Sequence, residues 1–349
     1  MDLPELNMLP DLLLPWYYAG HRDLPWRADR EPYHIWLSEI MLQQTRVEAV
    51  RGYYTRFLRE LPDIAALAAC DDDRLNKLWE GLGYYSRVRN LKKAAGIIVS
   101  RFGGSFPSTY EEVLALPGIG PYTAGAVCSI AFDRKTPAVD GNVLRLWARL
   151  ANDASPVDLP DTRRRAQEAL AAVYPDAAGD FTQALIELGA TLCGPDRKPE
   201  CAACPCRGIC LACRCGSAEK LPVRLPKKGR RREALTVLVI RCGDRYGLRR
   251  RPKRGLLAGM WEFPNTPGIL DEHQAAAFAE QLGCRPSEIR KMTSASHVFT
   301  HIEWDMRAVY MEAAEPSGAL QWFSDEELDR EAALPTAFRQ FRETPDPAL

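Results

Sequence analysis

The hydrophobic residues of this chain follow two different periods in two parts of the sequence. From about Leu9 to Leu192 they recur mostly every three or four positions, as in YHIWLSEIMLQQTRVEAVRGYYTRFL, which indicates amphipathic helices. Residues 217–232 are rich in Pro, Lys and Arg with little periodicity, which is typical of a linker. Beyond them ALTVLVIRC predicts a strand, and HVFTHIEWDMRAVYME alternates like an exposed-edge strand pair. The pattern predicts an all-helical part followed by a smaller α+β part from Glu233.

Length and charge narrow the class of protein. The chain has 349 residues and no run of about 18 apolar residues, so the sequence predicts two domains and no membrane-spanning helix. Its 46 basic and 46 acidic residues give zero net charge, so any DNA affinity must come from local patches. Because no leader or transit peptide is evident, we expect a bacterial-type cytoplasmic protein.

Cysteines are concentrated in one loop, where seven of the eleven lie between Cys193 and Cys215. Without an export signal, thiols gathered this closely are usually metal ligands rather than disulfides. Four of them have the spacing of one metal centre: Cys193, Cys201, Cys204 and Cys210. A zinc site could instead use Cys213 in place of Cys193. Spacing alone leaves a closed zinc site and an iron–sulfur cluster equally open.

The sequence LPGIG, residues 116–120, separates two helical segments. Gly118 and Gly120 allow a tight turn whose backbone N–H groups can point outward and hold a phosphate. LPGIG alone is also compatible with a plain interhelical turn. Asp140 follows at the start of another predicted helix, where an Asp by itself is usually an N-cap.

A helix-hairpin-helix, a downstream VDGNV and a four-cysteine loop, in this order, resemble the endonuclease III superfamily of DNA base-excision glycosylases. Within it, three motifs are similar to the adenine DNA glycosylase branch, the MutY type. They are PWR at 25–27, WLSEIMLQQTRV at 36–47 and GLGYYSRVRN at 81–90. The resemblance covers most of the first 215 residues and favours iron over zinc.

The resemblance implies a helical glycosylase domain over residues 1–216, with the helix-hairpin-helix near 109–131. It also implies one 4Fe–4S cluster in the loop 193–210. The family spacing is C-x6-C-x2-C-x5-C, whereas seven residues separate Cys193 from Cys201 here. We expect the additional residue to loop out without moving a ligand.

Glu39 is the candidate acid. Its helical neighbours Ile35, Trp36 and Leu42 are apolar, which should raise the pKa of its carboxyl and keep it protonated near neutral pH. A glutamate on a hydrated helix face is the alternative. The resemblance implies that Glu39 protonates adenine at N7. It further implies that Asp140 stabilises the cationic sugar, with transient covalent attachment left open.

Tyr122 lies where strand-cleaving relatives have a lysine that forms a Schiff base with the sugar. The hairpin reads LPGIGPYTAG and offers no amine, so the resemblance implies a monofunctional glycosylase. It also implies that Gln44 and Tyr84 wedge into the base stack, and that Asn142 lies at the extruded nucleotide. The other residues implied to contact DNA or the adenine are Trp26, Arg27, Leu42, Thr45, Leu82 and Gln183.

Residues 249–265, RRRPKRGLLAGMWEFPN, resemble the C-terminal Nudix-like domain of MutY proteins. The sequence PNTPGILDEHQAAAFAEQLG then lacks the glutamates that bind Mg²⁺ in catalytic Nudix enzymes, so residues 233–349 are expected to form a recognition module. The resemblance implies that Phe299, Thr300 and His301 recognise 8-oxoguanine opposite the adenine. Thr300 replaces the usual Ser, which keeps the hydroxyl and adds a methyl group.

We therefore expect an adenine DNA glycosylase that acts as a monomer at the nucleoid, on 8-oxoguanine:adenine or guanine:adenine mispairs in duplex DNA. Two alternatives remain. One is a bifunctional glycosylase/lyase of the endonuclease III type, and the other is a non-catalytic metal-containing DNA-binding protein.

Overall fold

A computed structural model of the chain describes residues 4–195, 198–226 and 229–342. Parts of the predicted cluster loop (196–197), linker (227–228) and recognition module (343–349), together with residues 1–3, lie outside these ranges. Within the described ranges, no helix is long and apolar enough to cross a membrane.

The chain forms two compact units. The first unit comprises Met1–Ala69 and Arg89–Pro226, and the second unit comprises Cys70–Val88 and Lys227–Leu349. The segment Cys70–Val88 thus packs with the C-terminal part of the chain, although the sequence predicts it to belong to a helical domain over residues 1–216. Polar contacts with residues that lie some 250 positions later hold this segment in the second unit.

Between residues 4 and 216, the regular structure of the described residues is helical. In order, the α-helices are α1 Leu9–Gly20, α2 Pro32–Leu42, α3 Val47–Glu60, α4 Ile64–Ala69, α5 Asp72–Leu78, α6 Ser86–Phe102, α7 Tyr110–Leu114, α8 Pro121–Phe132, α9 Gly141–Leu150, α10 Pro160–Ala171, α11 Ala178–Ala190 and α12 Leu211–Arg214. Short 3₁₀ helices span Pro4–Met8, Pro25–Arg27 and Ala218–Lys220. The last of these lies inside the predicted linker.

Helices α8 and α11 form the centre of the first unit. Helix α8 is buried from Thr123 to Ile130, and its mostly small and apolar residues let α2, α7 and α11 pack closely on it. Helix α11 also packs against α1 and α9, where Phe181, Leu185 and Leu188 lie in the core. This packing brings the C-terminal part of α2 and the N-termini of α8 and α9 towards one another.

In the residues that the structure describes, the second unit is a seven-stranded sheet with helices. Its elements after the linker are β1 Arg231–Cys242, β2 Arg245–Arg250, β3 Trp261–Glu262, β4 Asn265–Pro267, α13 Glu272–Gln281, β5 Pro286–Val298, β6 Ile302–Ala313, β7 Gln321–Ser324, α14 Asp325–Arg330 and α15 Thr336–Arg339. Strand β1 begins two residues inside the predicted linker.

The strand order is β3-β2-β1-β6-β5, with β4 paired to β1 and β7 paired to β2. Strands β1 and β6 are parallel, whereas β5 and β6 are antiparallel. The sequence predicts that β5 and β6 form a strand pair at an exposed edge of the sheet. Of these two strands, only β5 lies at an edge, because β6 also pairs with β1. Alternate residues of β1 enter two cores, with Val237 and Val239 on one face and Leu238 and Ile240 on the other.

Candidate active site

A cavity of about 630 Å³ opens in the first unit between α2, α8, α9 and α11. This volume lies in the usual range of small-molecule sites. Ten of the predicted site residues line it: Trp26, Arg27, Glu39, Leu42, Gln44, Thr45, Tyr122, Asp140, Asn142 and Gln183. The structure therefore brings together residues that are up to about 160 positions apart in the sequence.

Glu39 lies on the last turns of α2 with only 7% of its surface exposed. Tyr122, at the start of α8, donates its hydroxyl to Glu39 Oε2 over 2.6 Å. Burial raises the pKa of the Glu39 carboxyl to about 7; the Tyr122 hydrogen bond opposes the shift, Asp140 adds to it, and Arg27 opposes it. The carboxyl can therefore hold a proton near neutral pH.

Asp140 is the N-cap of α9 and faces the same cavity. Its Oδ1 accepts the backbone N–H of Val143 at 2.8 Å, and its Oδ2 accepts Asn142 Nδ2 at 2.7 Å. Burial raises the pKa of the Asp140 carboxyl, while these hydrogen bonds and the charge of Arg145 counteract the rise. The N-cap that the sequence indicates is therefore present, and the same carboxylate can interact with a molecule in the cavity.

Asn142 is held from the opposite side by Arg145. The guanidinium donates to Asn142 Oδ1 at 2.8 Å, to the carbonyl oxygen of Gly189 at 2.5 Å and to that of Cys193 at 2.9 Å. A Cβ atom on Gly189 would lie 2.8 Å from the Cβ of Asn142. Only glycine lets α11 approach α9 closely enough for this arrangement.

The motifs and spacings of the sequence do not point to Glu187. It is buried in α11 and accepts hydrogen bonds from Arg22 at 2.7 Å and Arg27 at 2.8 Å. Although burial alone would raise its pKa, the hydrogen bonds and charges of the two arginines outweigh burial and lower the pKa to about 2. The ionised Glu187 fixes Arg27 at the cavity. A lone carboxylate in the apolar helix FTQALIELGATLC was the available signal.

The predicted hairpin lies between α7 and α8. Gly118 has φ +79°, and a Cβ there would lie 2.6 Å from the Cβ of Asn90, so glycine is required on both grounds. Gly120 is the N-cap of α8. This is the turn that LPGIG predicts, and phosphate binding by it remains a prediction.

The remaining predicted DNA contacts belong to the second unit. Leu82 is buried, whereas Tyr84 is 46% exposed and has φ +48°. The Tyr84 hydroxyl lies 3.0 Å from Thr300 Oγ1. Phe299 packs edge-to-face on Trp304, and the side chain of His301 is exposed. The structure thus joins Tyr84 to Thr300, and the role of Phe299, Thr300 and His301 in lesion recognition remains a prediction.

The cysteine loop encloses a small cavity of about 20 Å³ in the first unit. The cysteines that line it are Cys193, Cys201, Cys204, Cys206, Cys210 and Cys213. All four predicted ligands are among them, and none of the four forms a disulfide bond. Among the described residues, no group of three or more Cys, His, Asp or Glu side chains is placed so that it could hold a metal ion.

A buried arginine suits an anionic group in this cavity. Arg149 lines the cavity, is 5% exposed, and has its Nη1 3.0 Å from Cys193 Sγ. Its other hydrogen bonds go to the backbone carbonyl oxygens of Cys193, Ala218 and Leu221. A buried cation is stable only with a compensating anion, and a metal centre with four thiolates supplies one. The donor set and its surroundings therefore fit such a centre.

Two family models match separate parts of the chain. The HhH-GPD superfamily base excision DNA repair protein model matches residues 37–172, and the NUDIX domain model matches residues 236–344. A solved thermostable thymine-DNA glycosylase is similar over 60% of this chain and 97% of its own, with a TM-score of 0.55 and 28% identity. An endonuclease III–DNA complex shares the fold over 63% of this chain and 98% of that chain, with a TM-score of 0.52 and 21% identity.

The helical fold with its cavity, followed by the Nudix-like sheet, defines a DNA base-excision repair glycosylase, an enzyme that hydrolyses N-glycosyl bonds. The adenine DNA glycosylases of Mus musculus and Homo sapiens are each 35% identical over 97% of this chain, covering 78% and 74% of their own lengths. The chain belongs to the adenine DNA glycosylase family. The predicted family and fold class are confirmed.

Proposed function

We propose that this enzyme acts as a monomer and removes adenine paired with 8-oxoguanine or guanine in duplex DNA. The observation that carries the proposal is Glu39, a buried carboxyl with a pKa raised to about 7 by burial, in one cavity with Asp140. Cleavage of an N-glycosidic bond needs an acid for the leaving base and a carboxylate for the cationic sugar. We take adenine as the base that is removed, because the relatives are adenine DNA glycosylases.

Glu39 gives its proton to N7 of the extruded adenine, and the bond between N9 and C1′ then breaks with its electrons moving to the base. The neutral adenine leaves while positive charge develops on the sugar. Tyr122 holds the Glu39 carboxyl in one orientation through its 2.6 Å hydrogen bond.

Asp140 stabilises the oxocarbenium-like sugar by its negative charge. Its carboxylate is fixed by Val143 and Asn142, so it needs little reorganisation when the charge appears. Water then adds to C1′ and gives up a proton to the Glu39 carboxylate, which forms the abasic site and restores the acid. The reaction consumes one water molecule and yields free adenine and the sugar hydroxyl.

Adenine is inaccessible within the base stack, so it must be extruded before reaction. Gln44 and Tyr84 are proposed to occupy the space that the nucleotide leaves. Both have positive φ angles, +57° and +48°, so their backbones lie in the left-handed region that few non-glycine residues adopt.

The second unit is proposed to recognise 8-oxoguanine through Phe299, Thr300 and His301, without Nudix catalysis. Its buried carboxylate, Glu262, accepts a hydrogen bond from Arg249 at 3.0 Å and pairs with Arg251. These two arginines neutralise the group that could otherwise attract a cation.

Monofunctional hydrolysis is testable in a single-turnover assay on duplexes that contain 8-oxoguanine:adenine, guanine:adenine or thymine glycol. We expect free adenine from the first two and an intact strand until alkali is added, because Tyr122 supplies no amine. Borohydride should trap no DNA–protein adduct. Efficient trapping with thymine glycol release would favour the endonuclease III type of activity, and an inactive iron-loaded protein would contradict glycosylase function.

We further propose that Cys193, Cys201, Cys204 and Cys210 hold one 4Fe–4S cluster, which would supply a structural link across the loop. Cys206→Ser should retain the iron and sulfide content and the absorbance near 400 nm, because Cys206 is not one of the four proposed ligands. Cys210→Ser should lose the iron, the sulfide and this absorbance. The reverse result would show that Cys206 is the ligand and that the assigned set is wrong.

A further inference from the structure

The loop Gly81–Tyr84, here called the wedge loop, is fixed by residues on both sides of it. Trp79, fully buried, donates its indole N–H to the carbonyl oxygen of Gly83 at 3.0 Å. Arg87 donates to the carbonyl oxygens of Leu82 and Gly83 at 2.9 and 3.1 Å. Its guanidinium also lies over the rings of Trp79 and Tyr84. The conformation of the loop thus follows the position of Trp79.

Lys77, in the last turn of α5 just before Trp79, contacts the C-terminal part of the second unit. Its Nζ donates to the carbonyl oxygens of Leu328 and Ala332, at 2.8 and 3.3 Å. Leu328 lies in the last turn of α14 and Ala332 lies two residues beyond its end, a place where a positive charge is favourable to the helix dipole.

Glu80 completes this junction. Its Oε1 accepts the backbone N–H of Leu334 at 2.8 Å and pairs with Arg339 at 2.5 Å, while its Oε2 lies 2.7 Å from Lys77 Nζ. The side chains of Lys77 and Glu80 are only 19% and 12% exposed, so the pair is little screened by water. Removing the charge of Lys77 or of Glu80 would leave the opposite charge largely buried without its ion-pair partner.

Tyr84 forms the second junction, through the 3.0 Å contact of its hydroxyl with Thr300. A non-glycine residue at φ +48° is strained and persists only where its surroundings fix it. The wedge loop is therefore attached to residues 328–339 at one end and to Thr300 at the other, all within the second unit.

We propose that Lys77 and Glu80 are positioning residues that set the wedge loop, and that the ratio of the enzyme's rates on 8-oxoguanine:adenine and guanine:adenine mispairs depends on them. The inference rests on the proposed function, in which Tyr84 wedges into DNA and Thr300 lies at the partner base. Neither Lys77 nor Glu80 touches the reacting atoms; both act through Tyr84.

Glu80→Gln and Arg339→Gln test the proposal in the full-length, cluster-loaded enzyme. We expect the ratio of single-turnover rates, 8-oxoguanine:adenine over guanine:adenine, to fall about three- to tenfold in each variant. Arg339→Gln removes the positive charge that pairs with Glu80 but keeps the hydrogen bond from the Leu334 N–H to Glu80. This variant therefore tests the charge without removing the contact that holds the segment in place. Glu326→Gln, the same change at an exposed site in α14, is the matched control and should keep the ratio of the wild type.

A double-mutant cycle of Glu80→Gln with Thr300→Val provides the second measurement. Because both act on Tyr84, the double variant should lose less than the product of the two single losses. Independent effects, or equal loss on both substrates, would overturn the proposal.

Hydrogen exchange at residues 81–84 reports the loop's position without any activity. Glu80→Gln should speed exchange there and Glu326→Gln should not. If the wild type cleaves neither mispair, the proposed function fails, and exchange alone decides whether Glu80 positions the loop. Unchanged exchange would overturn the positioning role whatever the activity.

Discussion

Glu39→Gln is expected to lower the single-turnover rate of adenine release by about 10²- to 10⁴-fold. Glutamine keeps the size of the side chain and an oxygen that accepts the Tyr122 hydroxyl, but it carries no acidic proton. The loss should therefore appear in the chemical step and leave DNA affinity within a few-fold of the wild type, as binding and single-turnover measurements would report. An unimpaired Glu39→Gln variant would exclude Glu39 as the acid.

The pH dependence of the same step gives an internal control. Burial raises the pKa of Glu39 to about 7, so the protonated acid is lost and the rate should fall as the pH rises through about 7. The Tyr122 hydrogen bond lowers this pKa; Tyr122→Phe should therefore move the fall to higher pH. A fall at the same pH in both proteins would assign the titration to another group.

Asp140→Asn is expected to slow the chemical step by about 10²- to 10³-fold, because the amide cannot supply the negative charge that stabilises the sugar cation. Asparagine is as good an N-cap as aspartate, and its oxygen can still accept the N–H of Val143. The melting temperature should therefore change little while the rate collapses.

Asp271→Asn is the matched control for this substitution. Asp271 caps α13 in the second unit with the same side-chain-to-backbone hydrogen bond, to Gln274. We expect wild-type rates from this variant. Unfolding of the Asp140→Asn variant would show that the carboxylate is needed to stabilise α9. Full activity of this variant would show that its negative charge is not needed for the reaction.

The sequence predicted local features of the fold well. Helical periodicity up to Leu192, the β-branched run in β1 and the LPGIG turn each depend on neighbouring residues, so a local pattern contains the necessary information. The apolar neighbours of Glu39 likewise indicated the direction of its pKa shift. The ten residues that gather in the cavity came from motifs of the resemblance, and periodicity alone would not have selected them.

The features that the sequence missed depend on pairs of distant residues. Glu187 and Arg22 are 165 positions apart, and neither one's neighbours predict the other. Strand β6 was placed at an edge because its parallel partner β1 lies in another part of the sequence. In the second unit, Cys70–Val88 contacts distant residues through Lys77 and Glu80, which look like ordinary surface charges in the sequence.

The contact between Lys77 and Leu328 spans 251 positions, and this separation has a consequence for synthesis of the chain. At a translation rate of roughly 5–20 residues per second, Leu328 follows Lys77 by about ten to fifty seconds. Helix α5 and the wedge loop, which belong to the second unit, must therefore wait, while the first unit can already collapse. Truncation in the linker would make that delay permanent, so a fragment ending there is expected to expose Cys70–Val88 to proteases.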